Sequence, residues 1–108
     1  MTRQVDIASA ELEPYDLEPD DVLDGDPRTA EVGFTTVGGA EIGIWEITPG
    51  TVKDVEKHEA FVVLSGEGSV TFEGGEVVEL GPGSLVRLQE GEATVWEIRS
   101  TLRKVYVV

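Results

Sequence analysis

From Glu31 to the end of the chain, hydrophobic and polar residues alternate in short runs that Gly and Pro interrupt. Alternation with a period of two is typical of half-buried strands, and Gly or Pro between the runs predicts turns. We expect nine strands, at 31–37, 41–48, 51–57, 60–64, 69–73, 76–80, 84–88, 94–98 and 102–108. Because no convincing helix or internal repeat accompanies them, the pattern indicates an all-β sandwich or barrel.

The glycines and the strand periodicity also predict local detail. Gly74 and Gly75 separate two short apolar runs, and they predict a tight hairpin because both central residues of a type I′ turn need positive φ. Side chains two residues apart on a strand share a face. We therefore place Glu59, Phe61, Val63 and Ser65 on one face of their strand, and Thr94, Trp96 and Ile98 on one face of theirs.

Residues 1–31 differ from the rest of the chain in charge. They hold ten acids against two bases, so they carry −8 of the formal charge of −14, and three prolines interrupt them. A segment of this composition cannot build a core alone. It nevertheless contains too many apolar residues for a solvated tail, so we expect residues 1–23 to form an extended, partly ordered acidic arm on a domain of residues 24–108. The alternative is a solvated acidic leader.

The overall composition excludes several classes of function. With 22 Asp and Glu residues against 8 Lys and Arg, the chain carries −14, which argues against binding to nucleic acids or anionic membranes. No apolar run approaches the roughly 20 residues that span a bilayer, and no signal-peptide pattern opens the sequence. The absence of Cys excludes disulfides, thiolate metal sites and Cys nucleophiles. We therefore expect a cytoplasmic protein.

Five short motifs follow one another between residues 24 and 108. They are Asp24-Gly25-Asp26-Pro27, the run from Gly43 to Gly50, the run from Glu59 to Gly66, Thr94-Val95-Trp96-Glu97, and the closing run from Arg103 to Val107. In this order they resemble the small cupin family related to (S)-ureidoglycine aminohydrolase. The resemblance implies a jelly-roll β-barrel of two antiparallel sheets, in agreement with the strand pattern.

The resemblance also implies a divalent metal ion inside the barrel, held by His side chains and a carboxylate. Such ligands suit Mn, Fe, Ni or Zn. By their place in the motif, the ligands here would be Glu56, His58 and Glu59, while Thr94 stands where the family has a further His. His58 and Glu59 are adjacent where the family pattern has three or four residues between them. Because adjacent side chains on a strand point to opposite faces, His58 and Glu59 can converge on one ion only if a tight turn separates them. With Thr94 in place of the further His, the set of ligands is depleted.

Each of these residues also has a purely structural interpretation. We expect His58, the only histidine, to be an exposed turn residue rather than a ligand. If Glu59 points inward, it must be paired or protonated, because an unpaired buried charge is costly. Arg103 and Lys104 alternate faces on the last strand, so that one of them can reach inside and pair with Glu59 or Glu97. A barrel closed by such a salt bridge would have no room for a metal.

Three classes of function follow. The first is a small cupin that binds a small polar molecule inside the barrel, where Glu59, Thr94 and Trp96 would line the interior, with a degraded metal site. The second is a divalent-metal-dependent enzyme resembling ureidoglycine aminohydrolase. The third is a non-catalytic interaction module that uses its acidic arm. The depleted ligand set favours the first; Trp96 and Trp45 serve there either as packing or as a platform for the ligand.

The resemblance also bears on assembly. A jelly roll of this size leaves edge strands that self-association or a covering arm would protect, so we expect a homodimer. The strong negative charge opposes association at low salt through self-repulsion, and added salt should relieve it.

Overall fold

The computed structural model describes residues 2–108 as nine strands and one short 3₁₀ turn. The strands are β1 (Glu13–Tyr15), β2 (Val22–Gly25), β3 (Thr29–Val37), β4 (Ala40–Ile47), β5 (Gly50–Val55), β6 (Glu59–Phe72), β7 (Val77–Leu80), β8 (Leu85–Leu88) and β9 (Ala93–Val107), and the 3₁₀ turn is Pro19–Asp21. The prediction of an all-β protein is confirmed. The described residues form no helix of the length and apolarity that a membrane crossing requires.

Two long strands, β6 and β9, pair along their whole length and bend together, so each contributes to two layers. The first half of β6 and the second half of β9 join β8, β4, β3 and β1 in one antiparallel layer. Their other halves join β7, β5 and β2 in the second. Side chains from both layers form one buried core, which includes Phe61, Val70, Ile98 and Leu102. The result is a curled barrel of two antiparallel layers.

The predicted number of strands matches, but the predicted division of the chain into strands is wrong in one respect. The predicted strands 60–64 and 69–73 form the single strand β6, and 94–98 and 102–108 form the single strand β9. Gly66 lies between the predicted strands 60–64 and 69–73, where a glycine predicts a turn, but it lies in an irregular stretch of the β6–β9 ladder with φ of 94°. A Cβ at this position would collide with the Thr101 carbonyl oxygen, so the glycine permits a close approach of two backbones rather than a turn.

The predicted hairpin is confirmed, and the predicted faces are confirmed except at Ser65, which is exposed because the register shifts after Val63. Gly74 and Gly75 both have φ of 104° and connect β6 to β7. On β6, Phe61 and Val63 are buried while Val62 between them is exposed. On β9, Thr94, Trp96 and Ile98 are buried in the same alternating way. Period-two alternation therefore identified the inward side of β9 from Thr94 to Ile98 and of β6 as far as Val63.

The acidic arm joins both layers. β1 pairs with β3 at the edge of the first layer, and β2 pairs with β5 at the edge of the second. The chain between them, residues 16–21, connects the two open edges. β2 itself runs across the boundary predicted after residue 23.

Arg103 holds the first part of the arm against the outside of the barrel. Its guanidinium donates to the carbonyl oxygens of Ile7, Ala8 and Ala10 at 3.1, 3.2 and 3.1 Å, and to Glu46 at 3.0 Å. Because Lys104, its neighbour on β9, faces inward, Arg103 faces outward. The guanidinium therefore ties a remote backbone segment to the outer surface of the first layer.

Candidate binding site in the barrel mouth

One end of the barrel opens into a cavity of about 460 Å³. Acidic residues make up 22 of the 108 residues of the chain but 8 of the 17 that line this cavity, against two lysines. The lining acids are Asp16, Glu18, Asp21, Glu31, Glu41, Asp54, Glu56 and Glu59, the lysines are Lys53 and Lys104, and the aromatic residues are Tyr15, Trp45, Trp96 and Tyr106. The mouth therefore combines concentrated negative charge with aromatic walls.

Strand register brings the inner residues of this cavity into a row. Glu31 on β3 lies opposite Trp45 on β4, and Trp45 lies opposite Lys104 on β9. Residues directly opposite one another on paired antiparallel strands share a face, so all three point into the barrel. Glu59 reaches the same region from the first residue of β6.

Lys104 lies at the floor of the cavity with its ammonium enclosed. Nζ is 2.6 Å from Oε2 of Glu59, and the Lys104 side chain is 7 % exposed. The ammonium also lies 4.6, 4.3 and 4.9 Å from the ring centroids of Trp45, Phe61 and Trp96. One carboxylate and three ring faces thus replace the water that a lysine ammonium requires.

Glu56 is compensated in a different way. It follows β5, and backbone hydrogen bonds to Glu92 and Gly91 fix its position. Its Oε2 accepts hydrogen bonds from the Thr94 hydroxyl at 2.6 Å and from the Trp96 indole nitrogen at 3.0 Å. Oε1 has no such partner and is not fully enclosed, since no side-chain oxygen of residues 2–108 is both fully buried and unpaired, and Glu56 lines the cavity.

Burial controls the acidity of Glu56. Loss of solvent raises the pKa of its carboxyl above the ordinary 4.5, and the negative charge of Asp54 raises it further. The hydrogen bonds from Thr94 and Trp96 and the charge of Lys104 oppose this shift in the pKa without cancelling it. The cavity floor therefore contains a carboxylate that gains from any additional cation or hydrogen-bond donor.

Two tyrosines complete the rim. The hydroxyl of Tyr15, from the acidic arm, accepts a hydrogen bond from the indole nitrogen of Trp45 at 2.7 Å. Tyr106 lies near Glu41 and Glu31, and burial together with these negative charges raises its pKa to about 12. Both hydroxyls stay protonated at neutral pH, so they offer donors and ring faces without adding charge.

The structure does not assemble the predicted metal ligands. Glu56 and Glu59 face the cavity, but His58 lies on the exposed turn between β5 and β6, beside the amide of Glu90. The turn separates His58 from the other two because β5 ends at Val55 and β6 begins at Glu59. Among residues 2–108, no group of three or more His, Cys, Asp or Glu is placed to hold a metal ion. With the Lys104 ammonium on Glu59, the residues present do not fit a divalent ion.

The predicted interior residues are placed as follows. Glu59 and Trp96 line the cavity, whereas Thr94 is buried behind Glu56 and contacts it through its hydroxyl. The proposed inward salt bridge exists, and its partners are Lys104 and Glu59. The contribution of the arm, through Tyr15 and its neighbours, was missed, because no local pattern marks a segment that crosses from one sheet edge to another.

Comparison with known proteins places this barrel in a family. A family model described as the EutQ-like cupin domain matches residues 35–106. The structure is similar to that of a protein of unknown function, of the DUF861 family, from Pseudomonas syringae pv. tomato (TM-score 0.81, 23% identity, 92% of this chain and 44% of that one). It is also similar to the EutQ protein of Clostridium difficile (0.65, 18%, 86% and 79%) and to ectoine synthase from P. lautus (0.66, 23%, 84% and 70%).

These likenesses have defined limits. At identities below 25%, the structural similarities show the fold alone, and they confirm the cupin-type barrel. The chain spans 44% of the length of the Pseudomonas protein. No curated protein matches the sequence. The matching family model is that of EutQ-like cupin domains, and the more specific resemblance to the ureidoglycine aminohydrolase family is not confirmed.

Proposed function

The chain belongs to the family of EutQ-like cupin domains, and from that premise we propose that it binds a small organic cation in the mouth of its barrel. Cupin barrels host many unrelated functions, so the proposal depends on the site rather than on the fold. The observation that carries it is the lining of the cavity, where eight acids face two lysines between aromatic walls. Carboxylates attract a cation, and ring faces bind it through their quadrupole.

Glu56 supplies a specific contact for such a ligand. The residue is 6% exposed and lines the cavity, and Thr94 and Trp96 donate to one carboxylate oxygen, which leaves the other without a protein donor. An ammonium or guanidinium N–H would donate to this free oxygen and offset the cost of its burial. Because the pKa of Glu56 is raised, we expect affinity for the cation to fall as the pH is lowered through that pKa.

The size of the cavity limits the ligand. A volume of about 460 Å³ lies in the lower part of the range for small-molecule sites. Lys104 and Glu59 close its inner end. A small alkylammonium or guanidinium compound fits this space, and the eight lining acids disfavour an anionic ligand such as a nucleotide.

The experiment uses the two tryptophans as reporters, since the only two of the chain, Trp45 and Trp96, both line the cavity. The protein is titrated with tetramethylammonium and with tert-butanol as a neutral compound of similar size, at constant ionic strength. We expect saturable fluorescence change and calorimetric binding with the cation alone.

Two variants with the same change in charge sharpen this test. Glu56→Gln removes a cavity carboxylate, whereas Glu97→Gln removes an exposed one that does not line the cavity. We expect Glu56→Gln to weaken binding about tenfold, the effect of one charge-assisted hydrogen bond, and Glu97→Gln to leave it unchanged. Equal binding of cation and neutral compound, or equal loss in both variants, would contradict the proposal.

The alternative of a divalent-metal-dependent enzyme makes a separate prediction. Elemental analysis of the protein, purified without a His-rich tag, should then find about one equivalent of Mn, Fe, Ni or Zn that Glu59→Ala removes. Because Glu59 pairs with Lys104 and His58 lies outside the cavity, we expect substoichiometric metal. One tightly held equivalent would favour the enzyme and overturn the binding proposal.

A further inference from the structure

The inner end of the cavity has all the parts of a cation-recognition site, separate from the free oxygen of Glu56. Trp45 on β4, Phe61 on β6 and Trp96 on β9 present three rings to one point, and Glu59 adds a carboxylate. The rings pack against each other, with Trp96 5.5 Å from Phe61 and 5.9 Å from Trp45 between centroids. We call these four residues the cage.

The cage is specific in its chemistry. Each ring centroid lies 4.3 to 4.9 Å from the Lys104 ammonium, inside the range of about 6 Å at which ring faces attract cations. The single carboxylate lies at 2.6 Å, the distance of a charge-assisted hydrogen bond. Proteins bind quaternary and methylated ammonium ions in cages of several aromatic rings. The carboxylate adds the hydrogen-bond acceptor that a primary ammonium, with its N–H groups, requires. A lysine that needed only a salt bridge would require none of the rings.

We propose that the cage is a binding site for a primary alkylammonium group that the chain fills with its own Lys104, which acts as a tethered ligand. The tether has a consequence for the mouth of the barrel. Because the Lys104 side chain occupies the cage, a free ligand is limited to the outer part of the cavity. Lys104 therefore sets the depth to which any ligand enters, and its removal should expose a second site with a preference for primary amines.

The first test uses the unaltered protein. Ring currents from three faces should move the ε-methylene protons of Lys104 well upfield of those of Lys53 and Lys57, which are exposed, in a ¹H–¹³C NMR spectrum. Slow exchange of the Lys104 ammonium protons should accompany this shift, since the group is 7% exposed. Shifts equal to those of the two exposed lysines would overturn the proposal without any variant.

The second test empties the cage. Lys104→Ala removes the tethered ammonium, and n-butylammonium chloride is then added, with sodium chloride at equal ionic strength and 1-butanol as controls. We expect n-butylammonium at about five times its dissociation constant to raise the melting temperature of this variant by about 4–8 °C more than that of the unaltered protein. Neither control should do so.

Lys104→Met provides the matched variant, because its thioether side chain keeps the cage filled without a charge. It should show no more response to n-butylammonium than the unaltered protein does. A response of Lys104→Met equal to that of Lys104→Ala, or of 1-butanol equal to that of the amine, would overturn the proposal.

The outcomes stay distinct from those for the barrel mouth. Binding of tetramethylammonium is measured with Lys104 in place, so an absence of binding would contradict the proposed function but not the proposal for the cage. If n-butylammonium does not stabilise Lys104→Ala, the proposal for the cage is contradicted, whereas the proposed cation site at Glu56 is not. Should Lys104→Ala not fold in buffer, n-butylammonium should restore its folded state where sodium chloride and 1-butanol do not, and NMR shifts of Lys104 equal to those of the exposed lysines would still overturn the proposal.

Discussion

Glu56 and Glu59 lie three residues apart, on either side of one exposed turn, and both face the same cavity. Their charges are compensated by different means. Neutral donors, the hydroxyl of Thr94 and the indole of Trp96, satisfy one oxygen of Glu56. A full positive charge, the ammonium of Lys104, satisfies Glu59. The first carboxylate therefore keeps its negative charge for an external cation, whereas the charge of the second is neutralised by Lys104.

The difference arises from the bend in β9. Thr94 and Trp96 lie in its first half, within the second layer, and Lys104 lies in its second half, within the first layer. One strand thus supplies both sets of partners to the two ends of the turn. Carboxylates close together in sequence acquire different chemistry because the barrel places them against different layers.

The largest loss of stability is expected from breaking the salt bridge between Lys104 and Glu59. Lys104→Met leaves Glu59 without its counter-ion, and we expect a loss of about 3 kcal/mol in the free energy of unfolding. The value lies at the low end for buried pairs because Glu59 keeps 17% of its side-chain exposure. Urea denaturation measures it.

The double variant Lys104→Met with Glu59→Gln should recover most of that loss, since no unpaired charge remains. Lys53→Met, at an exposed position on the rim, serves as control and should change stability little. If Lys104→Met and Lys53→Met were equally mild, Glu59 and Lys104 would not be a tightly coupled pair.

A smaller loss of stability is expected from removing one of the two neutral donors to Glu56. Thr94→Val removes the hydroxyl that donates to Glu56 but keeps the shape and the strand propensity of the residue. We expect a cost of about 1–2 kcal/mol and a further rise in the pKa of Glu56. Thr71→Val, on the exposed face of β6, is the matched control. Equal stability of the two variants in urea would show that the hydroxyl does not support Glu56.

The raised pKa of Glu56 predicts a pH dependence with a definite sign. The folded chain holds this proton more tightly than the unfolded chain, so stability falls as the pH rises from about 4.5 through the raised pKa. Glu56→Gln lacks this loss. We therefore expect the urea midpoint of Glu56→Gln, relative to the unaltered protein, to be higher at pH 7 than at pH 4. Glu97→Gln should show no such trend, and a similar trend in both variants would point to general charge repulsion instead.

The smallest effect is expected at the turn between the two carboxylates. His58→Ala should change the free energy of unfolding by less than about 0.5 kcal/mol, because the side chain is exposed and makes only one long contact. The fluorescence titration with tetramethylammonium should be unchanged as well. A loss of cation binding or of metal content in this variant would place His58 in the site after all.

The local pattern of hydrophobic residues and glycines predicted a large part of the fold. Alternation marked the inward side of β6 and β9, and Gly74-Gly75 marked a hairpin, since both follow from local backbone geometry. Gly66 was misread as a turn because a glycine needed for close backbone contact looks the same in the sequence. The inward position of Trp96 was predicted, whereas the hydrogen bond between Thr94 and Glu56 depends on residues 38 positions apart.

The pairing of Lys104 could not be predicted from the local sequence pattern alone. The sequence already required that Arg103 and Lys104 point to opposite faces and that an inward Glu59 have a partner, because strand alternation and the cost of a buried charge are local physics. Which of the two residues turns inward depends on register, which a strand acquires only from its neighbours. The register of β9 against β4 and β6 turns Lys104 inward, where its ammonium lies among three rings. Arg103 consequently faces outward, where its guanidinium binds the acidic arm.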